Sequence, residues 1–167
     1  MRTDYDRLAR LLEYPDESYL ERCREAGLHE FAEKLEKLSA TDIEELFVSA
    51  FDWDPATALE LGWHLFGEQY ARGEFLVRMR GELRRYGIAE STELPDHLTH
   101  VLRVVGRMDD ETAEKFVLEY IAPAVAKLQA ALEQKKTPFA ILMLAVRDAL
   151  PVQAAIPVLK VELPVLV

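Results

Sequence analysis

The run Glu93-Leu94-Pro95-Asp96-His97 holds two acids, a proline and a histidine within five residues, with His100 one helical turn beyond His97. A helix starting at Pro95 gives the proline an ordinary place, because its missing N–H falls where a first turn has no acceptor. Both acids then favour the positive end of the helix dipole. His97 is not accounted for in this way, since an imidazolium at that end is disfavoured. The same group makes an acidic, hydrogen-bonding lip beside apolar surface. Such a lip suits a basic or amphipathic peptide better than a reaction.

Other chemistries have less to stand on. His97 and His100 lie three apart, and His64 and Glu68 four apart, spacings that let two side chains share an ion on a helix. A zinc hydrolase needs three converging ligands, an open position and a base, and no His-Glu-x-x-His is present. We therefore assign no catalytic residue and no metal ligand, keeping a His/Glu metal-dependent enzyme as the less favoured alternative. The lone cysteine, Cys23, can form neither an internal disulfide nor a thiolate cluster, and it reads as a small core residue. Ser18, Ser39, Ser49 and Ser91 all lie outside any Gly-x-Ser-x-Gly turn, and the seven glycines are scattered rather than gathered into a phosphate loop. A net charge of -10 repels nucleic acid. The arginines at 78, 80, 84 and 85 are interrupted by Glu82 and read as a solvated helix face.

The elements that must position these residues are helical. In 167 residues, half of them hydrophobic, apolar side chains recur at spacings of three and four almost throughout. Tyr5, Leu8, Ala9 and Leu12 form one stripe, and Asp16 opens a second helix through Cys23. Thr41 and Glu44 form a capping box ahead of Ile43, Phe47, Ala50 and Phe51. Asp54-Pro55 starts a helix through Leu59, Gly62, Trp63 and Phe66, and Leu76, Met79, Leu83 and Tyr86 mark a long one closed by Gly87. After a polar loop from Ile88 to Leu94, Pro95 restarts the helix. Another runs from Asp110 to about Gln134 with a kink expected at Pro123, and Thr137-Pro138 opens the last. The fold expected is all-α, an irregular antiparallel bundle of about eight or nine helices over residues 1–150. Residues 151–167, with prolines at 151, 157 and 164, form an extended apolar tail that packs on its own domain or fills a partner-binding groove, there or in a homodimer. No apolar run approaches the roughly 20 residues of a membrane helix, and the charged N-terminus lacks a secretory signal, so a cytoplasmic location is expected.

Four motifs in order carry a family resemblance: Leu11-Leu12-Glu13-Tyr14-Pro15-Asp16-Glu17; Phe51-Asp52-Trp53-Asp54-Pro55; Gly62-Trp63-His64-Leu65-Phe66-Gly67-Glu68 with Arg72-Gly73; and Glu93-Leu94-Pro95-Asp96-His97-Leu98. Together they resemble the NarJ group of the TorD/DmsD-like redox-enzyme maturation chaperones, from about residue 5 to about residue 150. The resemblance implies a cytoplasmic, all-helical chaperone that binds the N-terminal, twin-arginine-like segment of a molybdoenzyme catalytic subunit while the molybdenum cofactor is inserted. The client it implies is the respiratory nitrate reductase alpha subunit or a related enzyme. It implies no permanently bound cofactor, only transient contact with that of the client. Recognition then falls to Glu93, Pro95, Asp96 and His97, with Leu98, His100, Tyr14 and Trp63 lining the groove. Asp96 and Glu93 are expected to meet cationic client side chains, and His97 to give a hydrogen bond that varies with pH. A helical adaptor subunit held in a permanent complex is the alternative of a different kind.

Overall fold

The structure is a computed structural model in which residues 3–151 are described. Within them the chain forms ten α-helices: α1 (Tyr5–Arg10), α2 (Tyr19–Glu25), α3 (His29–Glu36), α4 (Ala40–Phe51), α5 (Leu61–Phe66), α6 (Tyr70–Arg85), α7 (Leu98–Val105), α8 (Asp110–Phe116), α9 (Ala122–Lys135) and α10 (Phe139–Ala149). A π-helical turn at Val117–Ile121 joins α8 to α9, so the helical backbone is continuous from one to the other. The kink expected at Pro123 takes the form of that turn. The ring removes an N–H and crowds the turn before it, and a widened backbone just upstream accommodates both effects.

Local chemistry sets several of the boundaries. Asp4, Ser39 and Asp109 each accept a hydrogen bond from an N–H in the first turn of the helix they cap. Ser39 does this for α4, so that helix starts ahead of the capping box expected at Thr41. α6 turns Phe75, Met79 and Leu83 inward and leaves Leu76 only half-buried. It closes at Gly87, whose φ of 67° lets Ile88 N–H reach back to the Leu83 carbonyl at 2.8 Å.

α1 packs on α7, α2 on α3, α5 on both α6 and α9, and α10 on α9 and α3. One end of the core is a cluster of phenylalanines in edge-on contact. Phe139 lies 5.3 Å from Phe31, 5.5 Å from Phe47 and 5.3 Å from Phe51, centroid to centroid. Cys23 is fully buried, and burial pushes its thiol up to about 12, which makes it inert. No helix among the described residues is long and apolar enough to cross a membrane.

The largest departure from the expected pattern lies between Asp54 and Gly67. Asp54 caps only a 3-10 turn, Pro55–Thr57, and the backbone is extended at Ala58 and Glu60 before α5 begins at Leu61. The extended stretch runs antiparallel to residues 96–98, with Leu61 N–H bonded to the Asp96 carbonyl at 3.0 Å and Leu98 N–H to the Leu59 carbonyl at 2.9 Å. That pairing satisfies backbone groups that a continuous helix would have used internally. Equally, it delays α7 to Leu98, so Pro95 precedes the helix instead of starting it. Apart from Pro151, the extended tail and the homodimer expected through it fall outside the described residues.

Phe139→Ala removes the ring shared by three others and is expected to lower unfolding free energy by about 3–5 kcal/mol. Urea denaturation followed by far-UV circular dichroism measures this.

Candidate functional site

The short antiparallel pairing brings Asp96 under the first turn of α5. Its Oδ2 accepts the Gly62 N–H at 2.9 Å and lies 3.5 Å from the Arg72 guanidinium on α6. Asp96 has no exposed surface. Burial pushes its carboxyl above the usual range, while Arg72 and the Gly62 amide pull it down. Gly62 is required by this approach, because a Cβ there would stand 2.5 Å from Asp96 Oδ2. Two polar atoms of the pair, Asp96 Oδ1 and Arg72 Nε, are buried without a hydrogen bond.

The histidines of the segment also have structural tasks. His97 is the N-cap of α7: its Nδ1 lies 2.8 Å from Thr99 Oγ1 and accepts the Thr99 N–H at 3.3 Å. A neutral imidazole can cap in this way, which accounts for a histidine at the positive end of a dipole. Burial, then His100 and Arg103, bring its pKa down to about 4. His100 is buried too; its Nε2 accepts the Ser91 N–H at 3.0 Å and its Nδ1–H donates to the Leu94 carbonyl at 2.8 Å. It therefore staples the loop that carries Glu93. His64 Nε2 is bonded to the Ala58 carbonyl at 2.6 Å. Both ring nitrogens of His100 are taken up by its bonds to Ser91 and Leu94, so His97 and His100 do not share an ion in this arrangement.

Of the eight candidate residues, Pro95, Asp96, His97, Leu98 and His100 are buried. Glu93, Trp63 and Tyr14 reach solvent. Asp96 presents no surface to the outside; its side chain meets Gly62 and Arg72. What it positions is a recess of about 430 Å³ lined by Phe51, Asp52, Trp53, Glu60, Trp63 and Arg72 among others. Trp53 is 72% exposed at its edge. Glu60 is pushed above the usual carboxylate range by burial first, then by Asp96 and Glu93, and burial does the same to Asp52. Asp54 on the same wall is paired with Lys135 at 3.4 Å. Tyr14 adjoins this region, edge-on to Phe47, with Asp52 and Glu44 among the groups that raise its hydroxyl pKa after desolvation. Asp52, Trp53, Glu60, Gly62 and Arg72 were absent from the expected site. All but Glu60 stand in the motifs that carry the resemblance, where their signal was present.

The class is thus an irregular all-helical bundle holding an acid-rimmed aromatic recess. The chain belongs to the family described as nitrate reductase delta subunit, which it matches over residues 17–144. It is 30% identical to the nitrate reductase molybdenum cofactor assembly chaperone NarJ of Escherichia coli (strain K12), a match covering 81% of this chain and 64% of that protein. It is also 29% identical to the probable nitrate reductase molybdenum cofactor assembly chaperone NarW of the same strain, covering 77% of this chain and 60% of that protein. The chain therefore spans under two thirds of the length of these relatives. The NarJ group indicated by the four motifs is the one these matches contain.

Gly62→Ala is expected to destabilise the protein by about 1–3 kcal/mol, because the added methyl must displace a carboxylate already held by two partners; urea midpoints of the two proteins measure it. His97 gives a second expectation. Its pKa falls from 6.5 to about 4 on folding, so its contribution is full above pH 6.5 and is lost as pH drops from 6.5 toward 4. Between pH 7 and pH 5 the loss from this group is about 2 kcal/mol. His97→Asn keeps a capping side chain and should show that much less pH dependence in its unfolding free energy.

Proposed function

We propose that this chain is a cytoplasmic assembly chaperone that grips the N-terminal segment of a molybdoenzyme catalytic subunit, a nitrate reductase alpha subunit or a near relative, while the cofactor is inserted. The observation that carries the reading is the recess: two tryptophans under a rim of Asp52 and Glu60, kept open by Asp96 beneath Gly62 and Arg72. Aromatic walls take the apolar face of a short segment, and the carboxylates take its arginines. The net charge of -10 draws a basic leader toward the protein before contact. Family membership and the names of the NarJ and NarW relatives support the same reading. The molybdenum cofactor is cargo for the client in this scheme, and this chain performs no chemistry on it. Glu93 extends the acidic rim, whereas Pro95, Asp96, His97, Leu98 and His100 form the rigid base under it.

Calorimetric titration with a twin-arginine leader peptide tests the proposal. Trp53→Ala is expected to weaken binding about thirtyfold, as for an aromatic anchor worth about 2 kcal/mol. Glu60→Gln should weaken it at least about fivefold, the equivalent of about 1 kcal/mol for a charged hydrogen bond. Raising salt should lower wild-type affinity further. Unchanged affinity in both variants, with circular dichroism intact, removes the recess from the binding site.

A further inference from the structure

We propose that Glu60, Glu93 and His97 form a site for one divalent transition-metal cation, of which Zn2+ is the type, held by an imidazole nitrogen and two carboxylates. One ligand atom from each of the three lies within 4.8 Å of the others. They come from different places in the sequence and are brought together by the bridge between Glu60 and His97.

The imidazole is what separates this group from an ordinary patch of acids. The His97 side chain is 8% exposed, and its Nε2 points at Glu93 Oε2, 3.7 Å away, without a hydrogen bond among the described residues. A metal at Nε2 requires the proton on Nδ1, so binding must exchange the bond that Nδ1 accepts from the Thr99 N–H for one that Nδ1–H donates to Thr99 Oγ1, 2.8 Å away. Such an outer partner fixes both tautomer and ring orientation in histidine metal sites.

Charge points the same way. Glu60 feels two further carboxylates, Asp96 and Glu93, against one guanidinium, Arg72. With His97 neutral, that leaves an excess of two negative charges, the charge of one divalent ion. Arg103, which also acts on His97, is already paired with Glu13 at 3.1 Å. Ligand atoms around tetrahedral zinc stand about 3.3 Å apart, given bonds of about 2.0 Å. The adjustment needed falls to Glu93, whose side chain is half exposed and free to move. A nitrogen donor with two carboxylates selects zinc and its first-row neighbours over Mg2+.

Isothermal titration of the chelator-treated full chain with ZnCl2, in the absence of any client, is the test. One equivalent should bind, and MgCl2 at the same concentration should give no saturable heat. Glu60→Gln, Glu93→Gln and His97→Asn should each weaken zinc binding about tenfold or more. Asparagine preserves the cap of α7, and Glu93 lies at the surface, so circular dichroism should show native helix content in both variants. Absence of saturable zinc binding, or binding that any one of the three substitutions leaves unchanged, overturns the site. Because no peptide is present, failure here is separate from failure of the chaperone reading.

Discussion

The contact on which the recess depends is the one between a buried carboxylate and a backbone amide, Asp96 to Gly62. It joins two segments far apart in sequence: the turn entering α5 and the turn entering α7. Two backbone hydrogen bonds flank it, from Leu61 to the Asp96 carbonyl and from Leu98 to the Leu59 carbonyl. Together they hold residues 58–60 extended, which places Glu60 on the recess wall and Trp63 on the first turn above it. A charged carboxylate this deeply covered is expensive, and its neighbours offset the expense only in part. Arg72 stands 3.5 Å away, and one oxygen of the carboxylate has no hydrogen bond. Such an arrangement survives where the surrounding packing fixes it, and here Gly62 supplies the room.

The acidic and aromatic characters of the recess reinforce one another. Tryptophan and phenylalanine lower the local polarity, and burial is the first cause of the raised pKa of both Asp52 and Glu60. Carboxylates in that condition gain more from a cationic partner than solvated ones do, because part of their hydration has already been lost. The surface is therefore poised for arginine or lysine set in an apolar context. Asp54, by contrast, is occupied by Lys135 and by the cap of the 3-10 turn, so it belongs to the scaffold of the wall.

Much of the fold was legible because helical periodicity survives wherever a helix buries one face. The stripe Tyr5, Leu8, Ala9, Leu12 and the inward set Phe139, Leu142, Met143, Val146 are all buried as their spacing requires. Legibility failed where long-range contacts override local preference. Asp54-Pro55 has every local mark of a helix start, yet residues 58–60 spend their backbone groups on a distant segment. The same cause misplaced the start of α7 and concealed the task of Asp96. His97 was singled out by its type, but its neutrality follows from burial, which no spacing reports. Glu60 carried no motif at all; it enters the recess only because the chain beside it is extended.

Hydrogen–deuterium exchange of the full chain, with and without a saturating twin-arginine leader peptide, measures the central claim most directly. Binding in the recess should slow exchange across residues 51–63 and around Arg72, leaving the outer face of α6 near Tyr70 and Val77 unchanged. Protection confined to that outer face, or none in the recess while the peptide is bound, would contradict it.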